Sequence, residues 1–190
     1  MKKLVLIIAI IISPLVSFAQ GQFDEFEDMK GVTTIVMTER MFGLINSLGG
    51  IVEDDPEAKA VMEMINGLEN LKVFTTGDAA ISAKMKSKVN SYLKSSKLDE
   101  LMRIKDGEQS VKFYVKEGRD EDHVKELLMF VTGLKELTEG QNITINGKNR
   151  EFETVILSLT GDIDLKQVSK LAQRFDLPGG EHLERTKDRN

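Results

Sequence analysis

Two short stretches of this chain set acids where chemistry would want them. Asp120-Glu121-Asp122-His123 gathers three carboxylates and an imidazole, the donor types that take a divalent cation. Four adjacent residues do not converge on one point, however. Neither zinc-ligand spacing nor the calcium-loop pattern, with its glycine and distal glutamate, is present. A solvated turn accounts for the stretch better. Asp162 and Asp164 stand two apart where a strand should pass into a helix. Paired carboxylates share acid–base work when a pocket brings them together. Capping of the helix by Asp164, with Asp162 near the positive end of its dipole, uses both without a reaction. His182 lies in a charged C-terminal stretch. No Gly-x-Ser-x-Gly nucleophile elbow and no Gly-x-x-x-x-Gly-Lys phosphate loop occurs. No catalytic set, metal site or cofactor site emerges.

The pattern that departs furthest from its surroundings is basic. Between Asp78 and Lys97, the five lysines Lys84, Lys86, Lys88, Lys94 and Lys97 stand against one acid, a local formal charge of +4. On a helix, Lys84 and Lys88 border the apolar stripe, while Lys86, Lys94 and Lys97 lie round the back. Lysines flanking a buried face extend along it and hold their charge in water. The same five side chains form a candidate docking surface for an anionic partner.

Composition narrows the classes further. The 190 residues include no cysteine, no tryptophan and two histidines, with 26 Lys and Arg against 31 Asp and Glu. Disulfide frameworks, cysteine-ligated metals and thiol nucleophiles are therefore excluded. Lys2 and Lys3 precede an unbroken apolar run from Leu4 to Ile12, which Ser13-Pro14 interrupts. Ser17-Phe18-Ala19 then offers small residues at the −3 and −1 positions of a cleavage site, the layout of a secretory signal removed before Gln20. Leu4 to Ala19 is shorter than the roughly 20 residues a membrane span needs. Without residues 1–19 the balance is 24 basic against 31 acidic residues, a formal −7. Such a surface does not suit general nucleic-acid binding. The expectation is an exported protein, periplasmic or secreted, with no transmembrane segment in its mature chain.

The elements that must carry these residues follow from periodicity. Residues 20–30 form a polar lead-in, 31–177 one domain and 178–190 a flexible charged tail. Val32 to Met37 is rich in β-branched residues and predicts a strand. A helix follows with Met41, Leu44, Ile45 and Leu48 inward, then a second from Asp55-Pro56 with Ala58, Val61, Met62, Ile65 and Leu68. Leu71 to Phe74 predicts a short strand. Asp78 caps a long helix to about Ser96 with Ile81, Met85, Val89, Tyr92 and Leu93 on one face. The period then changes from 3.6 to 2. Leu101–Lys105, Val111–Lys116 and Leu127–Thr132 read as strands, with Val111, Phe113 and Val115 inward and Tyr114 outward. Asn146-Gly147 suits the tip of a hairpin that returns through Arg150 to Thr160. Asp164 and Gln167 make a capping box for a last helix. The expected fold is α+β: a single domain with an antiparallel sheet of about five to six strands, packed on one face by amphipathic helices.

Three stretches carry a resemblance. Phe23-Asp24-Glu25-Phe26 with Gly31-Val32-Thr33 and Met41-Phe42 resembles the start of the bacterial family called domain of unknown function 4252. Glu126 to Gly133 is similar to a second stretch of that family. Leu157-Ser158-Leu159-Thr160-Gly161-Asp162-Ile163-Asp164 with Leu165 to Leu171 resembles its most specific motif. The resemblance implies a small secreted or lipid-anchored protein of the Bacteroidetes, built as a single domain, and it supplies no catalytic residue. A lipid anchor needs a cysteine that this chain lacks. In such a protein the triplet Asn142-Ile143-Thr144 reads as coincidence rather than as a glycosylation site.

Export, the missing catalytic set and the resemblance give a first expectation for function. It is a non-catalytic module that binds an envelope protein or another macromolecule, in envelope homeostasis or stress signalling. A carrier sheltering a hydrophobic ligand or lipid between sheet and helices is the alternative, and an enzyme of unknown type comes third.

Overall fold

The structure is a computed structural model that describes residues 21–48, 62, 65–138, 144, 145, 148, 149 and 151–174. Its frame is one six-stranded antiparallel sheet. In chain order the strands are β1 (Thr33–Thr38), β2 (Leu68–Thr76), β3 (Asp99–Asp106), β4 (Gln109–Glu117), β5 (His123–Thr132) and, after two short strands, β8 (Thr154–Asp164). Across the sheet they lie β1-β2-β8-β5-β4-β3. The last strand therefore enters between β2 and β5 and joins the β1–β2 pair to the β3–β4–β5 meander in one sheet. β3, β4 and β5 are consecutive hairpins, and Gly107 takes φ +54 in the two-residue turn between Asp106 and Gln109.

Helix α1 (Glu39–Leu48) follows β1 without a break, α2 (Ala79–Ser95) joins β2 to β3, and α4 (Leu165–Arg174) follows β8. A single turn, α3 (Lys135–Thr138), follows β5. Asp78 caps α2 as its position predicts, its Oδ1 accepting from the backbone N–H of Ala80 at 2.8 Å and of Ile81 at 2.9 Å. Asp164 likewise accepts from the N–H of Lys166 at 2.8 Å. The Gln167 Oε1 has no hydrogen-bond partner, so the reciprocal half of the expected capping box does not form.

Both faces of the sheet are apolar. On the first, α2 lays Met85, Val89 and Tyr92 onto Phe74, Tyr114, Leu128, Phe130 and Ile156. Phe23 and Phe26 close this cluster, although the sequence marks their stretch as a polar lead-in. Phe23 stands edge-on to Tyr92 with centroids 5.5 Å apart. On the second face, Val111, Phe113, Leu127, Val131, Leu159 and Ile163 pack with Phe42 of α1 and with Leu165 and Val168 of α4. Each large side chain so buried contributes about 1.5–3 kcal/mol. Val155, Leu157 and Leu159 share this face, as their spacing of two requires.

Four readings from periodicity change. Leu68, expected on the second helix, opens β2 and pairs with Gly161. Tyr114 is buried rather than outward, because α2 covers the face opposite Val111 and Phe113. Phe42, not Met41 or Leu44, anchors α1 to the sheet; Met41 and Leu44 point to solvent. The hairpin around residues 146–147 is smaller than expected. β6 (Thr144–Ile145) pairs with β7 (Lys148–Asn149) alone, and Thr154 onward belongs to the main sheet. Asn146-Gly147, the start of the helix at Asp55-Pro56 and the tail 178–190 lie outside the described residues. Met62, Ile65 and Asn66 are helical, and Ile65 packs on the second face.

Candidate functional site

The two acidic stretches singled out in the sequence meet at one end of the sheet, where His123 of β5 is paired with Asp164 of β8. They are tied together by cations and backbone. Asp120 Oδ1 accepts from the N–H of Asp122 at 3.0 Å and lies 2.7 Å from His123 Nδ1. Arg119 Nη2 lies 2.6 Å from His123 Nε2. A guanidinium only donates, so Nε2 accepts and Nδ1 carries the hydrogen given to Asp120. That bond, with the Asp122 N–H and the Arg119 charge, holds the Asp120 carboxyl below its usual range. Arg119 Nη1 also pairs with Asp162 Oδ2 at 2.9 Å, Lys166 pairs with Asp122, and the Leu165 N–H donates to the Asp122 carbonyl at 2.9 Å. Asp164 is spent on the α4 N-terminus. The cluster clasps β5 to β8 and the start of α4. Among the described residues no group of three His, Asp or Glu is arranged to hold a metal.

The α2 lysines are spread along the outer side of the sheet's first face. Lys84, Lys86 and Lys94 are exposed, as is Lys97, which lies beyond the end of the helix rather than on its back, while Lys88 is half-buried and pairs with Glu25 Oε1 at 2.8 Å. Lys72 of β2 joins the same N-terminal turn through Asp24 and Glu27. Burial opposes the Lys72 charge, but the two carboxylates outweigh it and raise its pKa. These pairs pin the Phe23–Phe26 turn over the core.

One acid that the sequence leaves unmarked is buried under α2. Glu126 is 3% exposed, and Tyr92 Oη lies 2.7 and 2.8 Å from its two oxygens, donating its single hydrogen between them. Burial raises the Glu126 carboxyl above its ordinary value, against the pull of the Tyr92 hydrogen bond and the Lys116 charge. Burial and the carboxylate together push the Tyr92 hydroxyl well up. In register, Glu126 lies between Lys116 of β4 and Thr160 of β8, and Asn70 of β2 follows Thr160. The Oγ1 of Thr160 and the Oδ1 of Asn70 have no hydrogen-bond partner. Tyr92 was legible as an apolar-face residue; the acid beneath it was not, since Glu126 opens an otherwise hydrophobic run.

The sheet's two edges differ. β3 carries Asp99, Glu100, Arg103, Lys105 and Asp106, and its pairing slips between Glu100 and Met102. Arg103 pairs with Glu100 at 2.6 Å. Charge and irregularity of this kind blunt an edge against further pairing. β1, Thr33-Thr34-Ile35-Val36-Met37-Thr38, has neither charge nor bulge, and among the described residues β2 is its one neighbour in the sheet. Ile35 is 52% and Val36 42% exposed, and on α1 Met41 is 45% and Leu44 52% exposed. An open depression of about 420 Å³, lined by Thr38, Glu39, Arg40, Glu69 and Asn70, lies at the end of this strand. This edge is the candidate interaction site. The uncharged run was visible in the sequence, but its place at the margin was not.

No curated protein and no solved structure matches the chain. Residues 26–171 match the family described as "Domain of unknown function (DUF4252)", which takes in every strand of the main sheet and the start of α4. The chain belongs to the DUF4252 family.

Proposed function

We propose that the protein is an exported, non-catalytic interaction module of the bacterial envelope that binds through β1 and α1. One observation carries the reading: an uncharged, regular sheet edge, with no second strand neighbour among the described residues, carries exposed Ile35 and Val36 and leads into exposed Met41 and Leu44, while the opposite edge is charged and irregular. An open edge strand offers a row of backbone donors and acceptors to a further strand, and neighbouring apolar side chains add affinity. Asp120, Asp122 and Asp162, which suggested chemistry, are engaged in ion pairs and Asp164 in a helix cap, which favours a structural use for these four. The side chains of Phe74, Met85, Val89, Leu128, Phe130 and Ile156 occupy the space between α2 and the sheet, which favours binding at the edge over carriage of a ligand there. Export with cleavage before Gln20 belongs to the same proposal, supported by the layout of residues 1–19. Among the described residues no helix is long and apolar enough to cross a membrane.

The test is affinity capture from the envelope fraction with mass spectrometry, comparing wild type with Ile35→Lys and Val36→Lys. The variants should fold as wild type does, by circular dichroism and urea midpoint, and should lose the specific partner. Undiminished capture by both variants would move the binding surface elsewhere.

A further inference from the structure

β1 reads almost the same in both directions about Val36: Thr34-Ile35-Val36-Met37-Thr38. Because the run is uncharged, exposes Ile35 and Val36, and would meet itself as threonine on threonine and apolar on apolar, we infer that the strand's partner is a second copy of the chain, paired antiparallel through β1 about a twofold axis at Val36. The inference rests on the reading of β1 as the binding edge.

Geometry restricts the register to those centred on a residue. A twofold axis perpendicular to a sheet keeps each face on its own side, so residues that meet must both point to the same face. Thr34 and Val36 share the α2 face, because their partners Phe74 and Lys72 in β2 alternate with Val73. Ile35 and Met37 share the other face, where Met37 packs with the second core. Centring on Val36 satisfies this rule. It sets Thr34 opposite Thr38 of the other copy, Ile35 opposite Met37, and Val36 opposite itself. Threonine pairs and branched apolar pairs are favourable across antiparallel strands, and like charges directly opposite are not. Charged residues first occur at Lys30 on one side and Glu39 on the other, outside the paired segment. The same operation applied to β3 would bring a dense run of charges together.

The exposed surface is of the right order. With 42–52% of their surface in water, Ile35, Val36, Met41 and Leu44 present on the order of 400 Å² per copy, about half of the roughly 800 Å² each partner gives to a standard interface. Covering the threonines and the open backbone of β1 adds to that. The pairing would join two six-stranded sheets into one of twelve strands and leave the charged β3 strands at its outer ends. Each copy carries a formal −7 after loss of residues 1–19, so added salt should tighten the dimer. Binding of a basic peptide strand would instead weaken with salt.

Sedimentation equilibrium of the purified exported protein over a concentration series tests this, with Val36→Lys and Val36→Glu measured alone and as an equimolar mixture. Wild type should form a dimer that tightens with salt. Each variant alone places like charges on the axis and should raise the dissociation constant about tenfold or more. The mixture should recover the dimer by pairing lysine with glutamate. Because the chain has no cysteine, Val36→Cys should also oxidise to a covalent dimer, while Lys105→Cys on the opposite edge should not. A wild type monomeric throughout the series overturns self-pairing. So does a dimer that both charged variants leave intact. If wild type is monomeric and Val36→Lys still abolishes envelope capture, β1 stands as the binding edge and its occupant is another protein's strand.

Discussion

Replacing Tyr92 with phenylalanine takes one hydroxyl out of the protein and leaves the surrounding apolar packing in place. That hydroxyl lies 2.7 and 2.8 Å from the two oxygens of Glu126, a side chain with almost no access to water. Without it the carboxylate stays buried, with the Lys116 charge as its remaining support. Hydrogen bonds to charged groups contribute about 1.5–3 kcal/mol, and orphaning a buried acceptor exposes its full desolvation cost. We expect Tyr92→Phe to lose about 2–3 kcal/mol at pH 7. At roughly 2–4 °C per kcal/mol for a chain of this size, that is a fall in Tm of about 4–12 °C. The urea midpoint should fall with an unchanged slope. Glu126→Gln should act in the opposite sense, because it keeps an oxygen for Tyr92 and removes the charge. Burial raises the Glu126 carboxyl in the folded state above its unfolded value. Its contribution to stability is therefore present below the ordinary carboxyl range and is lost as pH rises through the raised value. Glu126→Gln should flatten that decline, and the Tyr92→Phe deficit should shrink on acidification. Tyr92→Phe with Glu126→Leu, apolar on both sides, should recover most of the loss. A double variant no more stable than Tyr92→Phe would refute the reasoning, since the cost would then lie in packing and not in the orphaned charge.

Gly161→Ala should cost at least about 2 kcal/mol in urea unfolding, because Gly161 takes φ +137 and a Cβ there would lie 2.2 Å from the Gly67 carbonyl oxygen. Asp78→Ala should cost about 1 kcal/mol by the same measurement, from loss of the cap on Ala80 and Ile81. Replacing Lys86, Lys94 and Lys97 with Gln should change stability by less than about 1 kcal/mol, since exposed charges contribute little; partner capture that falls in this variant and with rising salt would identify the α2 face as a second docking surface. Intact mass of the exported protein should correspond to a chain beginning at Gln20, whereas a membrane-bound species retaining Met1 would show an uncleaved anchor.

Strand and helix identities were legible where one period dominates. Met85, Val89 and Tyr92 fall on one stripe because a single helix face meets the sheet, and Asp78 declares the start of that helix. Periodicity assigns a residue to a face but does not say what covers that face. Tyr114 alternates correctly with Phe113 and is nevertheless buried, because α2 (Ala79–Ser95) arrives from an earlier part of the chain. Met41, Leu44 and Ile45 form as good a stripe as any, yet Phe42 is the side chain that α1 buries. Phe23 and Phe26 sit among acids, and the tertiary pairing of Lys72 with Asp24 and Glu27 and of Lys88 with Glu25 explains how a polar stretch delivers two aromatic rings to the core. The buried Glu126 was illegible for the same reason: its partner Tyr92 lies 34 residues away on another element.

The order of strands, more than any one residue, decides where this protein can bind. β8 lies between β2 and β5 and must satisfy neighbours on both sides, which accounts for the run Leu157 to Asp164 that marks the family resemblance. Alternate residues serve the two faces, Gly161 permits the close approach of Gly67 where the β2 register shifts, and Asp164 ends the strand by starting α4. Placing the last strand at the centre leaves β1 and β3, both early elements, as the margins. Of these, β3 is built from charges that resist another strand, and β1 has none. A sheet edge of this length left uncharged by accident would be a template for aggregation, and the cost of that hazard falls on every copy. On the proposal made above, β1 is the margin that a further strand covers, and a second copy would set Val36 against Val36 with no charge inside the paired run.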